Sequence, residues 1–449
     1  MKKLLVSILL CHLLASCGTF LDRKPDKTLV VPSSVEDLQA LLNDTYTFTA
    51  TYPGSGEIAA ADFYLDTPDW LSISQPSVRN AYVWGTDMFN EHERNEWSVP
   101  YITVYSCNVI LDALAHGKIA SGSRQEKDRI QGSALFFRSW TFYQLLQLFA
   151  KAWDPRTAGT DPGIALRLDP DPNLPSTRAS VRACYDRLTG DLEDAAGLLP
   201  EVATLRTMPT RQAALALLAR VHLTVGAYAK ALEYADLALG YPHGLLDFNL
   251  VDGSPQFPFT RYNREVLLHS MMATTGILYP PTQKVDTLLL GLYEENDLRK
   301  DLFYRPNADG SHSFRGSYDG TATLFNGLSL SELYLIRAEC LARSGQAEAA
   351  MISLNTLLAS RYRTGTFMPL PAVSAERALK QILTERRKEL AFRGVRWSDL
   401  KRLNREAGLA VTLRRTIDGK DYVLAPNDDR YVFPLPESVV QMTGMEQNP

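Results

Sequence analysis

Between Asp62 and Tyr101 the chain gathers side chains suited to non-covalent capture of a ligand with flat apolar faces and hydroxyl edges. Tyr64, Trp70, Tyr82, Trp84, Trp97 and Tyr101 are interleaved there with Asp62, Asp66, Asp69, Arg79, Asn80 and Asp87, and three of the six tryptophans fall in this stretch. Sugar C–H faces stack on such rings, while hydroxyls demand polar partners. Trp97 and Tyr101 stand four apart where a helix begins and read as core contacts. Trp70, Tyr82 and Trp84 lie in turn-rich sequence beside Arg79 and Asn80 and are the leading platform candidates. Tyr279, Tyr293, Tyr304 and Tyr318, in later loops, form a second tier.

Residues for catalysis show no such concentration. The sequence holds no His-Glu-x-x-His, Cys-x-x-Cys, Gly-x-Ser-x-Gly or phosphate-cradling glycine loop, and its seven histidines are dispersed. A glycosidase pair needs only spatial proximity, yet no pattern among the 51 acidic residues marks one. The expectation is a binding protein without enzyme activity, cofactor or metal. Asp161, Asp169 and Asp171 each precede a proline and lack the ordered spacing of a calcium loop, so they read as turn formers.

Another chemistry is written at the amino end. Lys2 and Lys3 precede an apolar run from Leu4 to Leu14, which closes in Leu14-Ala15-Ser16-Cys17. A basic start, an apolar middle and small residues before a cysteine describe a secretory leader cut ahead of a thiol that can take a diacylglycerol. Residues 1–16 are expected to leave and a lipidated Cys17 to begin the mature chain. The run is shorter than the roughly 20 residues that span a bilayer, so the acyl chains would provide the tether.

The elements that must position these groups are helical. With 449 residues, 45% of them hydrophobic, the chain can bury an extensive core. Its formal charge of −4, or −6 once Lys2 and Lys3 leave, gives no support to nucleic-acid binding. From Arg211 to Gly240, small residues at Ala219, Gly226, Ala231, Ala235 and Ala238 recur among leucines at helical spacing. A second copy runs from Ser331 to Arg361, and aligning Gly226 with Gly345 also aligns Ala219 with Ala338 and Ala231 with Ala350. This pattern resembles tetratricopeptide helical hairpins, which need neighbours to bury both faces. Arg124 to Ala150 and Arg178 to Leu199 are the helical blocks available for that. Trp153 to Pro175, Tyr241 to Tyr279 and Tyr304 to Asn326 are too rich in Gly and Pro for helix, with Arg315 to Thr323 read as a short hairpin. Cys107, Cys184 and Cys340, odd in number and widely spaced, read as buried thiols, with one bridged pair as the alternative.

The C-terminal third carries a family resemblance. Leu383 to Leu403 reads LTERRKELAFRGVRWSDLKRL, and the chain closes through Tyr431-Val432-Phe433-Pro434-Leu435-Pro436-Glu437 to Asn448-Pro449. With Phe20-Leu21-Asp22 after the anchor, this resembles the SusD/RagB family of Bacteroidetes outer-membrane nutrient-binding lipoproteins, departing from it in Ala391 to Arg393, where the family more often has an acidic residue before the glycine, and in a length at the short end. The resemblance implies a mainly α fold, a tetratricopeptide-like scaffold with long irregular loops and a few short strands. It implies a region 17–240 that includes the hairpin at 211–240, and a region 241–449 packed on the same scaffold. It further implies a cell-surface lipoprotein that binds an oligosaccharide and delivers it to a SusC-like TonB-dependent transporter, with peptide capture as the alternative ligand. A structural adaptor presenting a tetratricopeptide groove is the reading from a different class. The dense charges Arg386, Arg387, Glu389, Arg393, Arg396 and Asp399 are expected to hold their own segment through ion pairs around Trp397.

Overall fold

The computed structural model describes residues 32–89, 95–242, 244–273, 276–372 and 374–449; the leader and Cys17 lie outside them. Five short helices come first: α1 (Val35–Leu42), α2 (Thr45–Thr49), α3 (Ser55–Ala59), α4 (Thr67–Ser72) and α5 (Pro76–Tyr82). Longer ones follow in α6 (Pro100–Ala115), α7 (Arg124–Phe149), α8 (Val181–Leu198), α9 (Arg211–Thr224) and α10 (Tyr228–Leu239). Beyond the short α11 (Thr287–Leu290) and α12 (Leu298–Phe303) come α13 (Leu330–Arg343), α14 (Ala347–Leu358), α15 (Ala375–Glu389), α16 (Arg396–Leu403) and α17 (Glu437–Thr443). Strands are short and pair two at a time. No helix among the described residues is long and apolar enough to cross a membrane.

The long helices form a continuous stack in which α6, α7, α8, α9, α10 and α13 each pack on the next, and α13 also meets α14 and α15. α7 starts from a capping box between Ser123 and Glu126 and is buried nearly all round over its last four turns, as a helix covered on both sides must be. The two hairpins share one design down to the turn. Gly226 and Gly345 adopt left-handed φ of 74° and 82°, which a side chain would resist. The next amides then reach back to His222 O (2.9 Å) and Leu341 O (2.9 Å). Ala219, Ala231, Ala338 and Ala350 are all fully buried, because only a methyl group lets helix axes approach this closely.

The loop segments are irregular, as the prolines require. The hairpin expected at Arg315 to Thr323 is displaced: the paired strands are Tyr304–Pro306 and His312–Phe314, turned around Gly310, and no strand forms over 315–323. Asp169 and Asp171 close turns, each accepting the backbone amide two residues on (2.7 and 2.9 Å). Cys107, Cys184 and Cys340 are free and buried, and burial pushes the Cys107 thiol up to about 12.

The charges of the hallmark segment are buried or, at Arg387 and Arg396, half-buried, and most of their partners lie on other elements. Glu389 accepts from Arg361 (2.8 Å) and Arg299 (3.3 Å), Arg386 meets Asp399 (2.8 Å) and Glu332 (3.6 Å), and Arg387 meets Asp62 (3.3 Å) and Asp286 (3.2 Å). The expectation of pairs that hold their own segment is therefore corrected: these pairs mostly bolt α15 and α16 to α13, to the 297–299 turn and to the N-terminal loops. Trp397 is buried among Tyr431 and Phe433.

Candidate ligand-binding site

Loops at the N-terminal side of the stack shape a cavity of about 360 Å³ lined by Tyr46, Gln75, Ser77, Phe89, Asn95 and Glu96, among others. Asp44 caps α2 by accepting the Thr47 amide (3.2 Å). Over that single turn Phe48 points into the core, 1% exposed, while Tyr46 is left 69% exposed. The floor is knit from separate parts of the chain. The Glu96 carboxylate accepts the amides of Gly54 (2.7 Å) and Ser55 (3.0 Å) at the start of α3, and its pKa is raised by loss of solvent. Ala273 donates to Tyr52 O (2.7 Å), and a Cβ on Gly54 would stand 2.1 Å from Ala273 O, so only glycine fits there. A ring with an open face, an amide, a hydroxyl and a carboxylate thus border one opening of ligand size.

The sequence candidates are distributed differently. Trp70 and Arg79 do come together: the indole Nε1 donates to Arg79 O (3.3 Å) and the guanidinium lies 5.6 Å from the ring centroid, leaving Trp70 half-buried; neither residue lines the cavity. Asn80 donates to Asp87 O (2.5 Å) and closes a turn. Tyr82 and Trp84 have no open face, each being 1% exposed. Arg415 lies 3.8 and 4.7 Å from their ring centroids, Trp84 Nε1 donates to Ala59 O (3.0 Å), and the Tyr82 hydroxyl accepts the Leu65 amide (2.9 Å). In the second tier, Tyr293 and Tyr304 are buried and share a hydroxyl–hydroxyl bond (2.8 Å), and buried Tyr318 donates to Glu265 (3.1 Å). These burials correct the reading of Tyr82, Trp84, Tyr293, Tyr304 and Tyr318 as platforms: apolar rings with a satisfied hydroxyl or indole belong to the core. Tyr279 is half-buried. Trp97 and Tyr101 are core contacts 5.3 Å apart, as their spacing implies.

Sequence reasoning misses Tyr46, which lies upstream of the aromatic-rich stretch. A tyrosine two residues from a phenylalanine in a one-turn helix capped by Asp44 is the signal that could find it, since one of the two must face outward.

Comparison with known proteins points one way. A family model described as "Starch-binding associating with outer membrane" matches residues 19–223, and the SusD family model matches residues 320–449. SusD-like protein P2 of Formosa agariphila is 23% identical, with the alignment covering all of both chains. A SusD superfamily structure from Bacteroides thetaiotaomicron superposes with a TM-score of 0.74 at 22% identity, covering 93% of this chain and 100% of that one. A laminarin-binding SusD-like protein superposes at 0.65 and 18% identity, over 93% and 100% of the two chains. With one family's models at both ends, a full-length relative and the same helical stack in the solved structures, the chain belongs to the SusD family.

Proposed function

We propose that this protein captures an oligosaccharide at the Tyr46 cavity and delivers it to a SusC-like TonB-dependent transporter while tethered to the outer membrane through Cys17. The observation that carries the reading is the open Tyr46 ring, standing over a cavity bordered by amide, hydroxyl and carboxylate groups. Stacking supplies affinity and the polar border selects among hydroxyl patterns. Half-buried Trp70, paired with Arg79, is a second candidate platform. The starch-binding description of the family model and the laminarin-binding neighbour support a saccharide as the ligand class.

The test is calorimetric titration with laminari- and malto-oligosaccharides, wild type against Tyr46→Ala. Because Tyr46 is exposed, the variant should keep its fold while losing about 2 kcal/mol, roughly thirtyfold in affinity. Unchanged affinity for a bound saccharide would place the site elsewhere. Delivery is tested by co-purification of a TonB-dependent barrel from native membranes, and the tether by release of Cys17→Ala from the membrane fraction.

A further inference from the structure

A second, larger cavity of about 730 Å³ lies between residues 60–68, the start of α11 and the strand Leu413–Ile417. Its wall carries four guanidiniums, Arg387, Arg396, Arg414 and Arg415, against two carboxylates, Asp66 and Asp286. Asp66 shares the Lys284 ammonium with Asp69 and Asp309, and Arg387 is satisfied by Asp62, Asp286 and the Ala61 carbonyl (2.9 Å).

The other three cations have no carboxylate bonded to them among the described residues. Arg415 donates to the carbonyls of Ile58 (3.0 Å), Ala59 (3.3 Å), Ala60 and Tyr82, which fix its place but leave its charge uncompensated. Burial lowers its pKa to about 10, so it stays cationic at neutral pH. Arg396 and Arg414 make no side-chain hydrogen bond or ion pair with the described residues, and Arg396 Nε is buried without a partner. Desolvation and the neighbouring Arg387 both disfavour the charge on Arg396, although Asp62 and Asp399 favour it. Three arginines without a bonded carboxylate among the described residues thus line one cavity, and a guanidinium binds carboxylates and sulfates through strong, directional paired hydrogen bonds. Half-buried Tyr64 and exposed Leu288 add apolar surface at the opening.

We propose that this cavity is a separate subsite for an anionic sugar residue, one carrying a carboxylate or a sulfate, whose charge is held between Arg396 and Arg414 with Arg415 behind them. It rests on the saccharide reading of the protein but not on the Tyr46 cavity. The charge takes the unfilled donors, and the ring lies against Tyr64.

Titrating the full chain with D-glucuronate, D-glucose 6-sulfate, D-glucose and inorganic sulfate tests it. At least one charged sugar should bind about tenfold or more tighter than glucose, and Arg414→Gln should remove about tenfold of that affinity. Arg414 is exposed, so this variant reads binding rather than folding; Arg396→Gln with an unchanged melting curve should lose as much. Which charged sugar binds distinguishes carboxylate from sulfate. Equal binding of glucose, full retention of affinity in Arg414→Gln, or inorganic sulfate binding as tightly as both sugars would overturn the proposal. Tyr46→Ala should leave charged-sugar binding intact. Unchanged neutral-oligosaccharide affinity in Tyr46→Ala would therefore refute the Tyr46 reading alone and leave this one standing.

Discussion

Replacing Arg361 with Met should cost the fold about 3–5 kcal/mol at pH 7. Arg361 is fully buried and donates to both oxygens of Glu389 (2.8 to 3.2 Å), to both of Glu265 (2.9 and 3.0 Å) and to Leu246 O (2.9 Å). Its guanidinium lies 4.1 Å from the Phe248 ring centroid, a contact that methionine can largely refill. The loss therefore falls on charge: two fully buried carboxylates lose the guanidinium they share, Glu389 keeping Arg299 at 3.3 Å and Glu265 keeping only the neutral Tyr318 hydroxyl (3.1 Å) and Leu246 amide (2.7 Å). The way out is to protonate one of them, which at pH 7 costs about 3.7 kcal/mol for a carboxyl of ordinary pKa near 4.3.

That origin fixes the pH dependence. In the wild type, burial raises the Glu389 pKa, but Arg361 and Arg299 outweigh it and hold the pKa below its ordinary value. Its contribution is therefore whole above that value and lost only in acid. In the variant the orphaned carboxyl has a folded pKa above its unfolded one, so the deficit is largest at high pH and shrinks by about 1.4 kcal/mol per unit as pH falls. Urea denaturation followed by circular dichroism at pH 7 and pH 5 measures both numbers. A loss below about 1 kcal/mol at pH 7, or an equal loss at both pH values, would refute the reasoning.

Gly345→Ala should lose about 1 kcal/mol in the same assay, a purely backbone cost because a Cβ there meets nothing within 4 Å while φ is 82°. Ala231→Leu, placed where α10 is fully buried, should lower the melting temperature through overpacking worth about 1 to 3 kcal/mol. Burial raises the Asp399 pKa, but Arg386 and Arg402 overcome that and hold it at about 2 against 3.8. Its share of stability, about 2 kcal/mol, is complete above pH 4 and drains away as pH falls toward 2; Asp399→Asn should flatten that acid limb.

Local chemistry makes much of this protein legible in its sequence alone. The paired Gly226 and Gly345 turns and the Ala219/Ala338 and Ala231/Ala350 register depend on near neighbours in sequence, where residue type alone limits what the backbone can do. The helical stack follows from them, since small residues at fixed spacing admit few ways to cover two faces. Whether a ring is a platform or a core contact is not a local property. Trp84 and Tyr82 lie in turn-forming sequence, yet Arg415, more than 300 residues away, covers both rings, while Tyr46 in a one-turn helix stays open. The charges of the hallmark segment divide in the same way. Their density is written in the sequence, but the arrival of Arg361, Glu332 and Asp62 from distant elements decides which ones pair, and leaves Arg396 without a bonded partner among the described residues, beside a cavity. Burial and pairing are sums over everything that packs around a side chain, and only the tertiary structure performs that sum.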